Sequence, residues 1–126
     1  MRVTEPLAIL FYEKLIPGSQ LVDRLQNLGY RVRTLDDADR LQSEAEEGRP
    51  MVVLADLCSP RNRIVPAIGR LRKEKATEHI PVIAFLGQDD PALRAQAAEA
   101  GATLVATDTA VSCHLSQLLE QALAQF

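Results

Sequence analysis

Cysteine is scarce in this sequence: Cys58 and Cys113 are the two in 126 residues. Two are too few for a disulfide framework, and without C-x-x-C spacing neither zinc binding nor dithiol redox work is supported. Long apolar runs are missing as well. Stretches such as Pro50 to Ala55 and Ile80 to Phe85 fall far short of the roughly 20 residues a bilayer span needs, and no charged N-terminal segment leads into a long apolar one. Neither membrane insertion nor secretion is expected, and the cytoplasm is the default compartment. No Gly-rich phosphate loop is present, since Gly87-Gln88-Asp89-Asp90 has one glycine and two acids and Pro17-Gly18-Ser19 has one glycine. Nucleotide binding is unsupported. Ser112, His114 and Ser116 lie close together, but they have no strand-turn-helix elbow and no acid placed to orient the histidine, which leaves no hydrolase triad. No Pro/Gly/Ser tract marks a linker or a disordered segment.

What is present suits one globular domain spanning residues 1–126: 47% apolar residues can build a core, and 25% charged residues give a net charge of -3. That balance offers no general attraction for nucleic acid. The local basic cluster Arg70, Arg72, Lys73 and Lys75 reads as cations at a helix C-terminus, where they complement the dipole.

Strand-like and helix-like periods alternate along the chain. Leu7 to Phe11 is a short apolar strand. Pro17-Gly18-Ser19 then opens a helix whose Leu21, Val22, Leu25 and Leu28 share a face and which Gly29 ends. Tyr30 to Leu35 reads as an edge or half-buried strand, after which Asp36 can cap a helix to about Glu47. Met51 to Leu54 is continuously apolar, as in strands buried on both faces of a parallel sheet, and Ile64, Val65, Ile68 and Leu71 mark a third helix with Pro66 near its start. Pro81 to Leu86 repeats the buried-strand pattern, and Pro91 opens an Ala-rich helix ending at Gly101. Thr103 to Thr107 is a fifth strand. Val111, Leu115, Leu118, Leu119, Ala122 and Leu123 form the inner face of one final helix. Five strand-helix units in succession imply an α/β fold, a doubly wound parallel sheet with helices on both faces.

In such a fold chemistry belongs at the carboxyl ends of the strands. There the run Val52-Val53-Leu54-Ala55-Asp56-Leu57-Cys58-Ser59-Pro60 resembles the phosphoacceptor strand and loop of response-regulator receiver domains. Gly29-Tyr30, His79-Ile80-Pro81-Val82-Ile83 and Gly101-Ala102 fall at the family's expected places, so the resemblance covers essentially the whole chain. It implies a five-stranded, three-layer, flavodoxin-like sheet in the order 2-1-3-4-5, and a role in two-component phosphorelay signal transduction.

The resemblance also implies a set of site residues. Asp56 stands at the phosphoacceptor position, and the backbone carbonyl of Cys58 would be a Mg²⁺ ligand. An ungapped count from Gly29-Tyr30 places Tyr12 and Glu13 on the family's acidic pair, whereas a one-residue gap would match Glu13 and Lys14, and Lys14 cannot coordinate a cation. The metal set is thus Glu13, Asp56 and Cys58, and the exacting octahedral geometry of Mg²⁺ makes it a weakened one. Leu86 replaces the family's hydroxyl residue, Asp108 its lysine and Val105 its aromatic switch residue. Phosphoryl transfer depends on positioning and charge neutralisation, and these changes attack both. The chain is accordingly similar to a degenerate, or pseudo-, receiver, without enzymatic activity of its own.

If Glu13, Asp56 and Asp108 converge, three carboxylates share a pocket and a cation should accompany them, with Lys14, Arg61 or a metal as the candidates. Alternatively Asp108 caps the final helix in competition with Thr109, and Asp56 is a buried aspartate held by loop amides. Cys58, close to Asp56 and with acids expected nearby, reads as an inert thiol.

Charge is unevenly spread. Residues 91–126 carry Arg94, Glu99, Asp108 and Glu120, four of the 31 charged side chains. The outer face of the last helix, with Ser112, Cys113, His114, Gln117, Gln121 and Phe126, is polar but uncharged, as interface cores are. It is the expected docking face, for a histidine kinase or effector or for a second copy of the chain. Two further readings stay open: a working receiver phosphorylated on Asp56, and a small-ligand sensor using the altered pocket. No contact of this domain with nucleic acid or membrane is expected.

Overall fold

The computed structural model describes residues 6–12, 15–57, 63–86 and 90–124, with no description of the side chains of residues 15–20, 108 and 112. The elements are β1 (Leu7–Phe11), α1 (Leu15–Asn27), β2 (Arg31–Leu35), a 3₁₀ turn (Ala38–Arg40), α2 (Leu41–Gly48), β3 (Val52–Asp56), α3 (Ile64–Lys73), β4 (Val82–Leu86), α4 (Pro91–Ala100), β5 (Leu104–Thr107), α5 (Asp108–Cys113) and α6 (Leu115–Ala124). The five strands form one parallel sheet in the order β2-β1-β3-β4-β5, as expected.

Burial follows from strand position. Every residue of β1, β3 and β4 is buried, because each of these strands has a neighbour on both sides and helices above and below. At the edge, β2 buries Leu35 alone and β5 buries Ala106 alone. Alternation along the strands feeds two core layers. Ile9, Phe11, Val53, Ala55, Ala84 and Leu86 pack with α2, α3 and α4. Ala8, Leu10, Leu54, Ile83 and Phe85 pack on the other face with Leu21 and Leu25 of α1 and with Val111, Leu115, Leu119 and Ala122 of α5 and α6. Burying a side chain such as Leu54 stabilises the fold by about 2 kcal/mol.

The helix boundaries correct several expectations. α1 begins at Leu15, two residues before Pro17. A proline is tolerated there because the first four amides of a helix have no intrahelical acceptor. The cap after β2 is Asp37 instead of Asp36: its carboxylate accepts from the Asp39 amide and starts the 3₁₀ turn that precedes α2. The single final helix is two, broken at His114, whose backbone (φ -127°, ψ 32°) leaves the helical region. α4 follows its sequence cues. Asp90 caps it by accepting from the Leu93 amide, Pro91 occupies the first turn, and Gly101 (φ 114°) ends it.

The basic cluster is only partly a set of dipole-complementing cations. Arg70, Arg72 and Lys73 do lie in the last turn of α3. Arg72, however, folds back over Gly101. Its Nε donates to the Gly101 carbonyl at 2.6 Å, Nη1 to the Glu78 carbonyl at 2.7 Å and Nη2 to Thr103 Oγ1 at 2.6 Å. Thr103 Oγ1 in turn accepts from the Val82 amide at 3.1 Å. One guanidinium therefore ties the end of α3 to the starts of β4 and β5, and its partial burial lowers its pKa from the ordinary arginine value.

Candidate functional site

Strand register dictates which residues meet at the carboxyl edge of the sheet. Phe11 pairs with both Leu35 and Ala55, so Tyr12, one residue on, stands between Asp36 and Asp56. Asp56 pairs with Phe85, and Leu86 pairs with Thr107. The edge thus reads Asp36, Tyr12, Asp56, then Phe85-Leu86 and Ala106-Thr107, before the chain turns directly into α5 at Asp108.

Asp56 is one of two buried polar residues among those described, at 4% exposure. It is engaged within the chain, and it follows Ala55 of the α2/α3/α4 layer, so its own side chain falls on the opposite, α1/α5/α6 side of the sheet. Tyr12 is half-buried on that same side, and its amide is held by the Leu35 carbonyl at 3.0 Å. Leu86 is fully buried in the α2/α3/α4 layer, and Val105 packs partly buried against it. Both side chains are taken up by the core: what stands at these two positions fills volume and offers no hydroxyl or ring to the Asp56 side.

The role of Thr107, at the carboxyl end of β5, is one that sequence reasoning missed. Its hydroxyl accepts from the Ala110 amide at 3.1 Å and caps α5, displacing both Asp108 and Thr109 from that role. The signal was available, because a threonine three residues before an unpaired helical amide is a standard capping arrangement. Asp108 is instead the first residue of α5. Glu13, Lys14, Cys58 and Arg61 lie outside the described residues, and with them the expected meeting of three carboxylates and its accompanying cation. His114, Gln117 and Gln121 are exposed as expected, but His114 sits in the break between α5 and α6 rather than on a continuous helical face. Phe126 also falls outside the described residues.

No family model matches the chain, and no curated protein matches its sequence. Solved structures do match. A candidate response regulator from Chloroflexus aurantiacus superimposes with a TM-score of 0.87 at 18% identity, over 96% of this chain and 99% of the other. The receiver domain of a sensor histidine kinase from Pseudomonas aeruginosa, solved with a magnesium ion in its active-site cleft, gives 0.85 at 20% identity, over 96% and 99%. The chemotaxis protein CheY4 of Vibrio cholerae gives 0.84 at 18%, over 95% and 100%. The chain has the receiver-domain fold.

In a receiver fold the carboxyl edge around Asp56 is the place to test for a cation. The described donors there are the carboxylate of buried Asp56, the phenol of Tyr12 and the exposed carboxylate of Asp36, and among the described residues no group of three His, Cys, Asp or Glu side chains could hold a metal. Tyr12 and Asp56 by themselves do not make a Mg²⁺ site, since the ion takes six oxygen ligands and favours carboxylates; the expected ligands Glu13 and Cys58 lie outside the described residues. Among the described residues no helix is long and apolar enough to cross a membrane.

Proposed function

We propose that this chain is a receiver-type signalling module that acts through protein contacts, with phosphorylation of Asp56 impaired or absent. The observation that carries the reading is the composition of the carboxyl edge. A buried Asp56 sits at the strand end with a phenol beside it, and the neighbouring strand ends on a leucine sunk in the core. By the resemblance, a receiver pocket would have an acid at Tyr12 on the ungapped count or at Lys14 with a one-residue gap, a hydroxyl at Leu86 and a lysine at Asp108. Transfer of a phosphoryl group to Asp56 needs the incoming charge neutralised and the donor held in line, and these substitutions remove the means of both. On this reading the chain is not an enzyme. Its partner is a signalling protein, a histidine kinase or an effector, or else a second copy, and the contact runs through the charge-poor C-terminal helices presenting His114, Gln117 and Gln121. The cell interior is its place of work.

The test is incubation with Mg²⁺ and acetyl phosphate, followed by intact-mass analysis of the wild-type chain and of Asp56→Asn. The expected result is no adduct on a chain shown to be folded by circular dichroism. A phosphoryl adduct on the wild type that Asp56→Asn lacks would instead establish a working phosphoacceptor, the reading favoured by the retention of an aspartate at the end of β3.

A further inference from the structure

A second site lies away from the carboxyl edge, where α1 meets the break between α5 and α6. A surface cavity of about 220 Å³ is lined by Arg24, Asn27, Leu28, Cys113, Leu115 and Ser116. It lies beside the non-helical backbone of His114, which separates the two segments that carry Cys113 and Leu115.

The lining has a consistent chemistry. Arg24 is exposed and its side chain makes no ion pair or hydrogen bond among the described residues, whereas Arg33, Arg40, Arg63, Arg70, Arg72 and Arg94 all pair with acids or carbonyls. The local explanation for a basic residue in the last turn of a helix is the set of unpaired carbonyls there. Here three of the last four carbonyls already accept from backbone amides: Leu28 donates to the Arg24 and Leu25 carbonyls, Gly29 to Gln26, and Tyr30 to Leu25. The guanidinium has no partner among the described residues, and its donors face solvent. Asn27 and Ser116 add neutral hydrogen-bonding groups beside it. The remaining wall is apolar, from buried Leu115 and from Leu28, one of two large apolar side chains exposed among the described residues, at 45%. A cationic fork, two neutral polar groups and an apolar wall together suit a ligand with an anionic head and a short aliphatic body. The size agrees, since drug-sized ligands occupy roughly 300–1,000 Å³ and this cavity is smaller.

We propose that this cavity binds a short aliphatic carboxylate, with the head on Arg24, Asn27 and Ser116 and the chain along Leu28 and Leu115. Because the cavity lies under the α5–α6 break, occupancy would bear on the surface that presents His114 and Gln117.

Cys113 supplies the readout. Hexanoate, titrated against the wild-type chain at constant ionic strength, is expected to slow alkylation of Cys113 by iodoacetamide saturably, with a dissociation constant in the millimolar range. Peptide mass analysis separates Cys113 from Cys58. Amide resonances of Asn27, Leu28 and Ser116 should shift with the same midpoint. Arg24→Gln, a change at an exposed position, should weaken binding about fivefold, the size of an exposed ion pair, and hexanol should bind less well than hexanoate. Linear, non-saturating protection overturns the proposal, as does equal binding of hexanol and hexanoate. Unchanged affinity in Arg24→Gln overturns it too.

Discussion

Replacing Gly101 by alanine isolates the contribution of the Arg72 clamp when it is compared with the same change at Gly29. Both glycines have positive φ, 114° and 93°, so both substitutions carry the strain of placing a side chain where L-residues rarely go. That strain is roughly 1–2 kcal/mol. Around Gly29 an added Cβ meets nothing within 4 Å, and strain is the whole cost. Around Gly101 the added Cβ lands on the Cγ of Arg72, with the Cδ at 3.1 Å and Nε at 3.2 Å behind it. The stem must move, and with it the bonds to the Gly101 carbonyl and Thr103 Oγ1. Each charge-assisted bond is worth about 1–1.5 kcal/mol after allowance for the exposure of Arg72. Gly29→Ala should therefore cost about 1–2 kcal/mol and Gly101→Ala about 3–5 kcal/mol, a large share of the 5–15 kcal/mol that typically holds a domain together. Urea unfolding read by circular dichroism measures both. Arg72→Ala should then cost less in the Gly101→Ala background than in the wild type, since the clamp is already loosened. If the two glycine variants agree within about 0.5 kcal/mol, or if the Arg72 and Gly101 effects simply add, the clamp is not what joins α3 to β4 and β5.

Loss of the α5 cap in Thr107→Ala should cost about 1 kcal/mol, seen as a fall of about 4 °C in a thermal melt. Burial raises the pKa of Tyr30 above its ordinary value of 10.0, so the folded chain holds that proton more tightly than the unfolded chain. Its contribution to stability is complete below about pH 10 and is lost as pH rises through the higher folded value; Tyr30→Phe should flatten that alkaline decline in urea midpoints. If the C-terminal helices dock a partner or a second copy, Gln117→Glu with Gln121→Glu should weaken that association, and an unchanged elution volume and unchanged partner capture would remove the proposal. A phosphoryl adduct on Asp56, absent from Asp56→Asn, remains the outcome that would convert the module into a phosphoacceptor.

The sequence by itself determined the order and type of the elements. The apolar runs Met51 to Leu54 and Pro81 to Leu86 read as strands buried on both faces, and Pro91 with Gly101 bracketed α4, because these signals are local: a residue's own φ range and its spacing along the chain. The position of Asp56 at the carboxyl edge was legible for the same reason, since it ends such a run. Tertiary structure decided what depends on partners distant in sequence. Nothing local distinguishes Arg72 from Arg70, yet one clamps Gly101 and Thr103 while the other lies within 3.9 Å of Asp39 at the surface. Nothing local sends Leu86 into one core layer and Asp56 to the opposite side of the sheet, since that follows from which strands are adjacent and in what register. The helix break at His114 interrupts a pattern that reads as continuous, because Val111 and Leu115 both reach the same core layer from either side of it. Side-chain spacing along one chain records local periodicity; the cavity under that break, and the arginine left unpaired beside it, arise only when two such surfaces are brought together.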